Sequence, residues 1–352
     1  MNMQKNVPLA SFTSFKVGGI AKTLIALDET DQLSEIIANV PTDEQLWMLG
    51  FGTNCLISDQ GLEGNVILDR AGGVHRLSPT KFKVDSGVNW DDFIQLLINN
   101  NLWGLEFSSG IPGGVGAAIV GNIAAYGHKV ADSFIEATIF NIKDGATTVW
   151  GKKDLGFSYR RSILQEPVNS HQVVLDATFQ LSTEPTGELE YSSALKVGEE
   201  IGVKPDSLAN RRQIIMETRR RTGSLLSDST SGPYTAGSFF KNPLVSKEQA
   251  QIIIDHEETK ISREQLYSQN QIHGENKMRV SAAHVLLAAG FKRGQTWGNV
   301  RLHPDHILKI ENLGQASAQE IYDVVQTILK IVKEKLDIEL EPEVRFLGDF
   351  SN

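Results

Sequence analysis

Two glycine-rich stretches, Leu49-Gly50-Phe51-Gly52-Thr53-Asn54 and Ile111-Pro112-Gly113-Gly114-Val115-Gly116, constrain this chain more than any other feature. Glycine permits positive φ and lets backbone N–H groups crowd around an anion, so such stretches read either as tight turns or as phosphate loops. The first follows Leu46–Leu49, a short apolar run that reads as a buried strand. Neither stretch completes a dinucleotide fingerprint, because the third small position is Cys55 in one and Ile119 in the other. No Walker A motif occurs either. A nucleotide held by these loops must be held in another fold.

The remaining pattern is mixed α+β rather than regular βαβ repetition. Helical spacing appears over 28–40, 90–98, 206–221, 246–256, 280–289 and 317–336, the last opened by a Ser317-x-x-Glu320 capping box. Short strands are expected over 66–68, 81–85, 134–142, 173–181 and 344–347, with a turn at Lys143-Asp144-Gly145. Between Gly223 and Ala236 only turn chemistry is found, which reads as a loop near a domain boundary. A chain of 352 residues favours two or three domains over one core.

Composition excludes several classes. With 34 basic against 43 acidic side chains and a net charge of -9, non-specific nucleic-acid binding is disfavoured. Cys55 is the single cysteine, so intramolecular disulfides and a cysteine-based zinc site are excluded, and no metal is expected. The N-terminus leads into no apolar h-region, and no run approaches the roughly 18 apolar residues of a membrane span, so a cytoplasmic protein is expected.

Three further constellations could carry chemistry. In Thr235-Ala236-Gly237-Ser238-Phe239-Phe240-Lys241-Asn242-Pro243 a serine sits in an apolar, backbone-dense setting, as nucleophile, proton source or structural cap. No Gly-x-Ser-x-Gly elbow accompanies it. Gly156-Phe157-Ser158-Tyr159-Arg160-Arg161 offers two guanidinium forks for a phosphate or carboxylate, or else a surface ion pair. Leu340-Glu341-Pro342-Glu343-Val344-Arg345-Phe346 alternates two glutamates on one side of a strand. Arg211, Arg212, Arg219, Arg220 and Arg221 read mostly as a solvated helix face.

The order of these motifs resembles the UDP-N-acetylenolpyruvoylglucosamine reductase family over roughly residues 8 to 348. Ser14-Phe15-Lys16-Val17-Gly18-Gly19, the two glycine stretches, Asn122-Ile123-Ala124-Ala125-Tyr126-Gly127, Tyr159-Arg160, the Ser238 motif and the Glu343 motif carry it. The resemblance implies a two-part FAD-binding module of the vanillyl-alcohol-oxidase-like type, residues 1–70 and 71–222, and a C-terminal α+β substrate-binding domain, 223–352, that closes over the substrate. It implies FAD and NADPH as cofactors, a UDP-sugar enolpyruvyl ether as substrate, peptidoglycan precursor synthesis as the process, and a monomer. FAD would lie on Gly50, Gly52, Thr53, Asn54, Pro112, Gly113, Gly114, Gly116, Asn122 and Gly127.

Hydride would pass from NADPH through FAD to C3 of the enol ether, with Ser238 giving a proton to C2 and Arg160 and Glu343 steadying the enolate-like charge. Tyr126, Tyr191, Asn242, Arg279 and His306 would contact substrate, Tyr191 from the loop Leu189-Glu190-Tyr191-Ser192. Three departures stand out. A family lysine is missing near Arg221-Thr222-Gly223-Ser224, leaving its phosphate contact to Arg220 or Arg221. His306 stands for a glutamine, and Arg279 for a lysine. The competing readings are an FAD-dependent oxidase or dehydrogenase of the same superfamily, and a nucleotide-binding regulatory module without turnover.

Overall fold

The computed structural model describes residues 2–41, 43–225, 232–259 and 278–351. The chain forms two compact units that interleave in sequence. The first contains 1–7, 21–51 and 63–221; the second contains 8–20, 52–62 and 222–352. The unit changes after Val7, Ile20, Phe51, Leu62 and Arg221. The part of the expected 223–236 loop at 226–231 lies outside the described residues.

The first unit holds two sheets. One has four strands, in the order Met3–Pro8, Ile20–Leu27, Leu62–Asp69, Leu46–Leu49. Its last two are parallel, with Leu49 opposite Leu68, and Ile25, Leu27 and Ile67 are buried against Leu33 and Ile36 of the helix Gln32–Ala38. The other sheet has five antiparallel strands: Thr147–Gly151, Phe134–Asn141, Gln172–Gln180, Lys81–Asp85, Val74–Ser78. Its inward residues Phe82, Phe134 and Phe179 meet Trp90 and Phe93 of the helix Trp90–Asn99. Each such aromatic, fully buried, contributes on the order of 1.5–3 kcal/mol. That helix starts where it does because the Asn89 side chain accepts from the N–H groups of Asp91 and Asp92.

The glycine stretch 111–116 hangs from the segment between the sheet and this helix. Trp90 N–H donates to Gly113 O at 2.9 Å, Val115 N–H to Val88 O at 3.0 Å, and Gly116 N–H to Ser86 O at 2.8 Å.

In the second unit the helix Ala318–Leu336 is the spine, burying Ile321, Val325, Ile328 and Val332. The expected capping box is present, with Ser317 and Glu320 bonded reciprocally. Asp59 adds a second cap, accepting from the Ala318 and Gln319 N–H groups at 2.9 Å each. Arg345–Leu347 runs parallel to Cys55–Ile57, and Asn312 Nδ2 donates to Phe15 O at 2.9 Å. These bonds draw 8–20 and 52–62 into the C-terminal unit. Among the described residues no helix is long and apolar enough to cross a membrane.

Candidate functional site

In the first unit Phe51 of the first glycine stretch meets Gly114 of the second. A Cβ on Gly114 would lie 3.3 Å from the Phe51 ring and 2.8 Å from Ser86 O, so only glycine allows this approach. Arg70 sits over the Phe51 ring at 4.5 Å and donates to Gly50 O at 3.0 Å. Burial lowers the pKa of Arg70, with Asp69 opposing, and burial raises that of Asp69. A partly desolvated guanidinium beside two close-packed glycine loops suits an anion. Arg70 carried no motif and was not found by sequence reasoning; only the contact with Phe51 reveals it.

Gly50 and Gly52 differ in a way that the sequence hides. A Cβ on Gly52, at φ +60°, would meet Phe12 O at 2.0 Å, so this glycine is required by the turn itself. Gly50 has nothing within 4 Å of a Cβ and does not have positive φ. Gly50→Val is therefore expected to leave the melting temperature nearly unchanged while weakening FAD binding at least tenfold, measured by flavin fluorescence titration. Parental FAD affinity in this variant would show that Gly50 faces no ligand.

A second cluster in the same unit gathers Tyr126, Arg160, Tyr191 and Arg219. The Tyr126 and Tyr191 rings meet edge to face, with centroids 5.5 Å apart. Arg219 donates to the Tyr126 hydroxyl and, through Nε, to Gly110 O at 3.2 Å. Burial lowers the pKa of Arg219, and the nearby positive Arg160 adds to this. Burial raises that of Tyr126, against the charge of Arg219. Two adjoining guanidiniums with a half-buried phenol can receive a carboxylate or phosphate.

Backbone strain concentrates here: Asn122, Tyr126 and Arg160 have φ of +40°, +51° and +52° although none is glycine. Arg160 occupies a tight turn closed by Ser158 N–H to Arg161 O at 3.0 Å. Asn122 Nδ2 donates to Ser158 O at 2.8 Å and its Oδ1 accepts from Ala131 N–H. The Asn122 side chain thus braces the Arg160 turn, and only its backbone remains for a cofactor.

The helix Leu208–Arg221 corrects the reading of a mostly solvated arginine face. Arg211 is buried with Glu106 at 3.0 Å beneath Trp103 and Phe107, and Arg212 grips Asp91. Arg220 and Arg221 alone of the five lie outward, bonded to Glu217, with Arg221 also on Glu200. The missed signal was the spacing: Arg211, Arg212, Ile215 and Arg219 share one face at 3.6 residues per turn.

In the second unit the strand-like segment 238–243 lies between 308–309 and 341–343. Ser238 pairs with Lys309, Phe239 N–H donates to Leu308 O at 2.8 Å, and Glu343 N–H donates to Phe239 O at 2.7 Å. Asn54 joins this ladder, its Nδ2 donating to Glu343 O at 3.1 Å. Thr53 accepts at its carbonyl from Ser14 Oγ. Asn242 Oδ1 accepts from Ala282 N–H, capping the helix Ala282–Ala288, and Arg279, buried, donates to Asn242 O.

Burial, with Lys309 adding, pushes the His306 pKa down to about 4, so near pH 7 it is a neutral group, as the expected glutamine would be. Lys309, 1% exposed, donates to Thr222 O, and its Nζ lies 3.4 Å from a Cβ on Gly223. Among the described residues of this unit, Lys309 is thus a cation beside Thr222 and Gly223. Among the described residues no group of His, Cys, Asp or Glu could hold a metal.

Two family models match separate parts of the chain. An FAD-binding domain model matches residues 21–150. The model of the UDP-N-acetylenolpyruvoylglucosamine reductase C-terminal domain matches residues 229–347. The chain is an FAD-containing oxidoreductase of α+β fold. It resembles the UDP-N-acetylenolpyruvoylglucosamine reductases of Thermobifida fusca, 28% identical over 98% of both chains, and Bacteroides fragilis, 28% identical over 98% of this chain and 100% of that one. The solved UDP-N-acetylenolpyruvylglucosamine reductase of Thermus caldophilus shares the fold, with a TM-score of 0.66 over 99% and 100% of the two chains at 24% identity. Residues 229–347 thus carry the C-terminal domain of the UDP-N-acetylenolpyruvoylglucosamine reductases, and the chain is similar to such reductases over 98% of its length.

Proposed function

We propose that this protein reduces UDP-N-acetylglucosamine enolpyruvate to UDP-N-acetylmuramate with NADPH, in the cytoplasm, as a monomeric enzyme of peptidoglycan precursor synthesis. The observation that carries the reading is the packing of both glycine stretches against each other beside Arg70, which suits the pyrophosphate of FAD. Gly50, Gly52, Thr53, Asn54, Pro112, Gly113, Gly114, Gly116 and the backbones of Asn122 and Gly127 would hold it. When bound, FAD supplies the hydride carrier between NADPH and the enol ether.

The chain's own residues would manage charge and protons. Arg160, fixed in its strained turn, directs positive charge to the substrate carboxylate as negative charge grows there. Glu343 adds a hydrogen bond to the same species. Ser238 delivers a proton to C2, where position rather than acidity carries the catalysis. Tyr126, Tyr191, Asn242, Arg279 and the neutral His306 orient the remainder of the substrate. A superfamily oxidase would use the glycine loops but would have no task for both Ser238 and Glu343.

The purified protein is expected to be yellow, to lose its flavin absorption on anaerobic addition of NADPH, and to regain it with the enolpyruvyl substrate. Recovery only with oxygen would identify an oxidase instead. Absence of any flavin spectrum after incubation with FAD would remove the reading.

A further inference from the structure

Gly110, the residue before the second glycine stretch, is held at both ends of its peptide environment by charged groups. Its N–H donates to Asp91 Oδ1 at 2.6 Å, and its C=O accepts from Arg219 Nε at 3.2 Å. Asp91 is in turn gripped by both terminal nitrogens of Arg212, at 2.7 Å each. Arg212 and Arg219 are seven residues apart on one helix, so two turns bring them to the same face. Asp91 belongs to the first turn of the helix Trp90–Asn99, where the N-terminal dipole favours a carboxylate.

We infer that Asp91 and Arg212 form a clamp that seats the helix Leu208–Arg221 on the glycine stretch, and so fixes both the Pro112–Gly116 loop and Arg219. They are positioning residues. The geometry excludes a merely decorative surface pair: the fork is bidentate, and the side chains of Arg212 and Asp91 are 17% and 26% exposed. Burial would raise the Asp91 carboxyl, but the Arg212 fork and the Gly110 N–H hold it below the usual range. The clamp also has a second output. Arg219 reaches from Gly110 to the Tyr126 hydroxyl, so the register of one helix sets a backbone carbonyl at the flavin loop and a phenol at the substrate cluster together.

The inference rests on the FAD reading above, and the experiment separates the two. FAD is titrated by fluorescence quenching into the parent, Asp91→Asn, Asp91→Ala, Arg212→Lys, Arg212→Ala and the double alanine variant. The visible spectrum is recorded at saturating FAD. The expected result is a Kd for FAD raised roughly tenfold or more in either alanine variant, with the double variant no worse than the poorer single, as for one shared interaction. Asp91→Asn keeps an acceptor for the Gly110 N–H and Arg212→Lys keeps the charge, so each should lose less. The flavin bands of the alanine variants should shift even when saturated, because the loop holding the cofactor has moved.

If the alanine variants fail to fold, the two conservative variants decide: a measurable rise in Kd with a band shift supports the clamp. A Kd within twofold of the parent, unshifted bands, or strictly additive losses would overturn it. A parent that binds no FAD would sink both the clamp and the FAD reading, whereas variants that match an FAD-binding parent sink the clamp alone.

Discussion

Replacing Ser238 by alanine is expected to leave flavin reduction by NADPH near the parental rate and to slow reoxidation by the enolpyruvyl substrate by ~10² to 10⁴-fold. The first half follows from what the hydroxyl does not do. Among the described residues no protein group bonds it, while the backbone on either side is held by the Lys309 pairing and by Phe239 N–H to Leu308 O. Removing one oxygen therefore costs no internal hydrogen bond, and the Phe239 and Phe240 packing beneath it stays intact. The second half follows from the proton demand at C2, which hydride transfer does not meet. Ser238→Cys retains a donor in the same place and should keep more activity than alanine. Stopped-flow traces of the two half-reactions measure this. Reoxidation of the alanine variant at the parental rate would make Ser238 a structural residue and move the proton source elsewhere.

Arg160→Gly should produce a protein at least as stable as the parent and slower in the substrate half-reaction by roughly 10² to 10³, the usual loss when one donor aimed at developing charge is removed. Its residue φ of +52° is strained for arginine and easy for glycine, so the substitution relieves the turn while deleting the guanidinium. Stability and rate then change in opposite senses, which a structural role for Arg160 cannot produce. Arg160→Lys keeps the charge but not the fork and should fall between them. Glu343→Gln, which keeps hydrogen bonding, should lose less than Glu343→Ala. Thermal melting with single-turnover reoxidation checks these expectations. Equal slowing of flavin reduction and reoxidation would show that these residues support the cofactor or the fold instead.

Much of the local structure was legible in the chain because its causes are local. The Ser317–Glu320 capping box, the apolar face of 317–336 and the alternation over 81–85 each act within a few residues, and the structure contains them as the helix Ala318–Leu336 and the strand Lys81–Asp85. The glycine stretches were equally visible, and so was their failure to make a dinucleotide fingerprint. The resemblance to the reductase family was legible from the order of motifs because each is short and specific.

What the chain could not disclose depends on partners far away in sequence. That 8–20 and 52–62 join the C-terminal unit is decided by pairing of Cys55–Ile57 with Arg345–Leu347 and by the Asp59 cap. No local propensity encodes such contacts. The fates of the five arginines were likewise decided by tertiary packing: Glu106 and Asp91, over a hundred positions away, make Arg211 and Arg212 inward-facing, while Glu217 and Glu200 keep Arg220 and Arg221 outward. Arg70 and Lys309 show the same limit, since each is one unremarkable cation until a ring or a carbonyl is placed against it. The sequence by itself determined the main helices and strands and the likeness to the reductase family, because helix caps, periodicity and glycine spacing are short-range. Tertiary structure decided which charges face inward, because burying a guanidinium is tolerable only where a distant carboxylate, carbonyl or aromatic ring meets it.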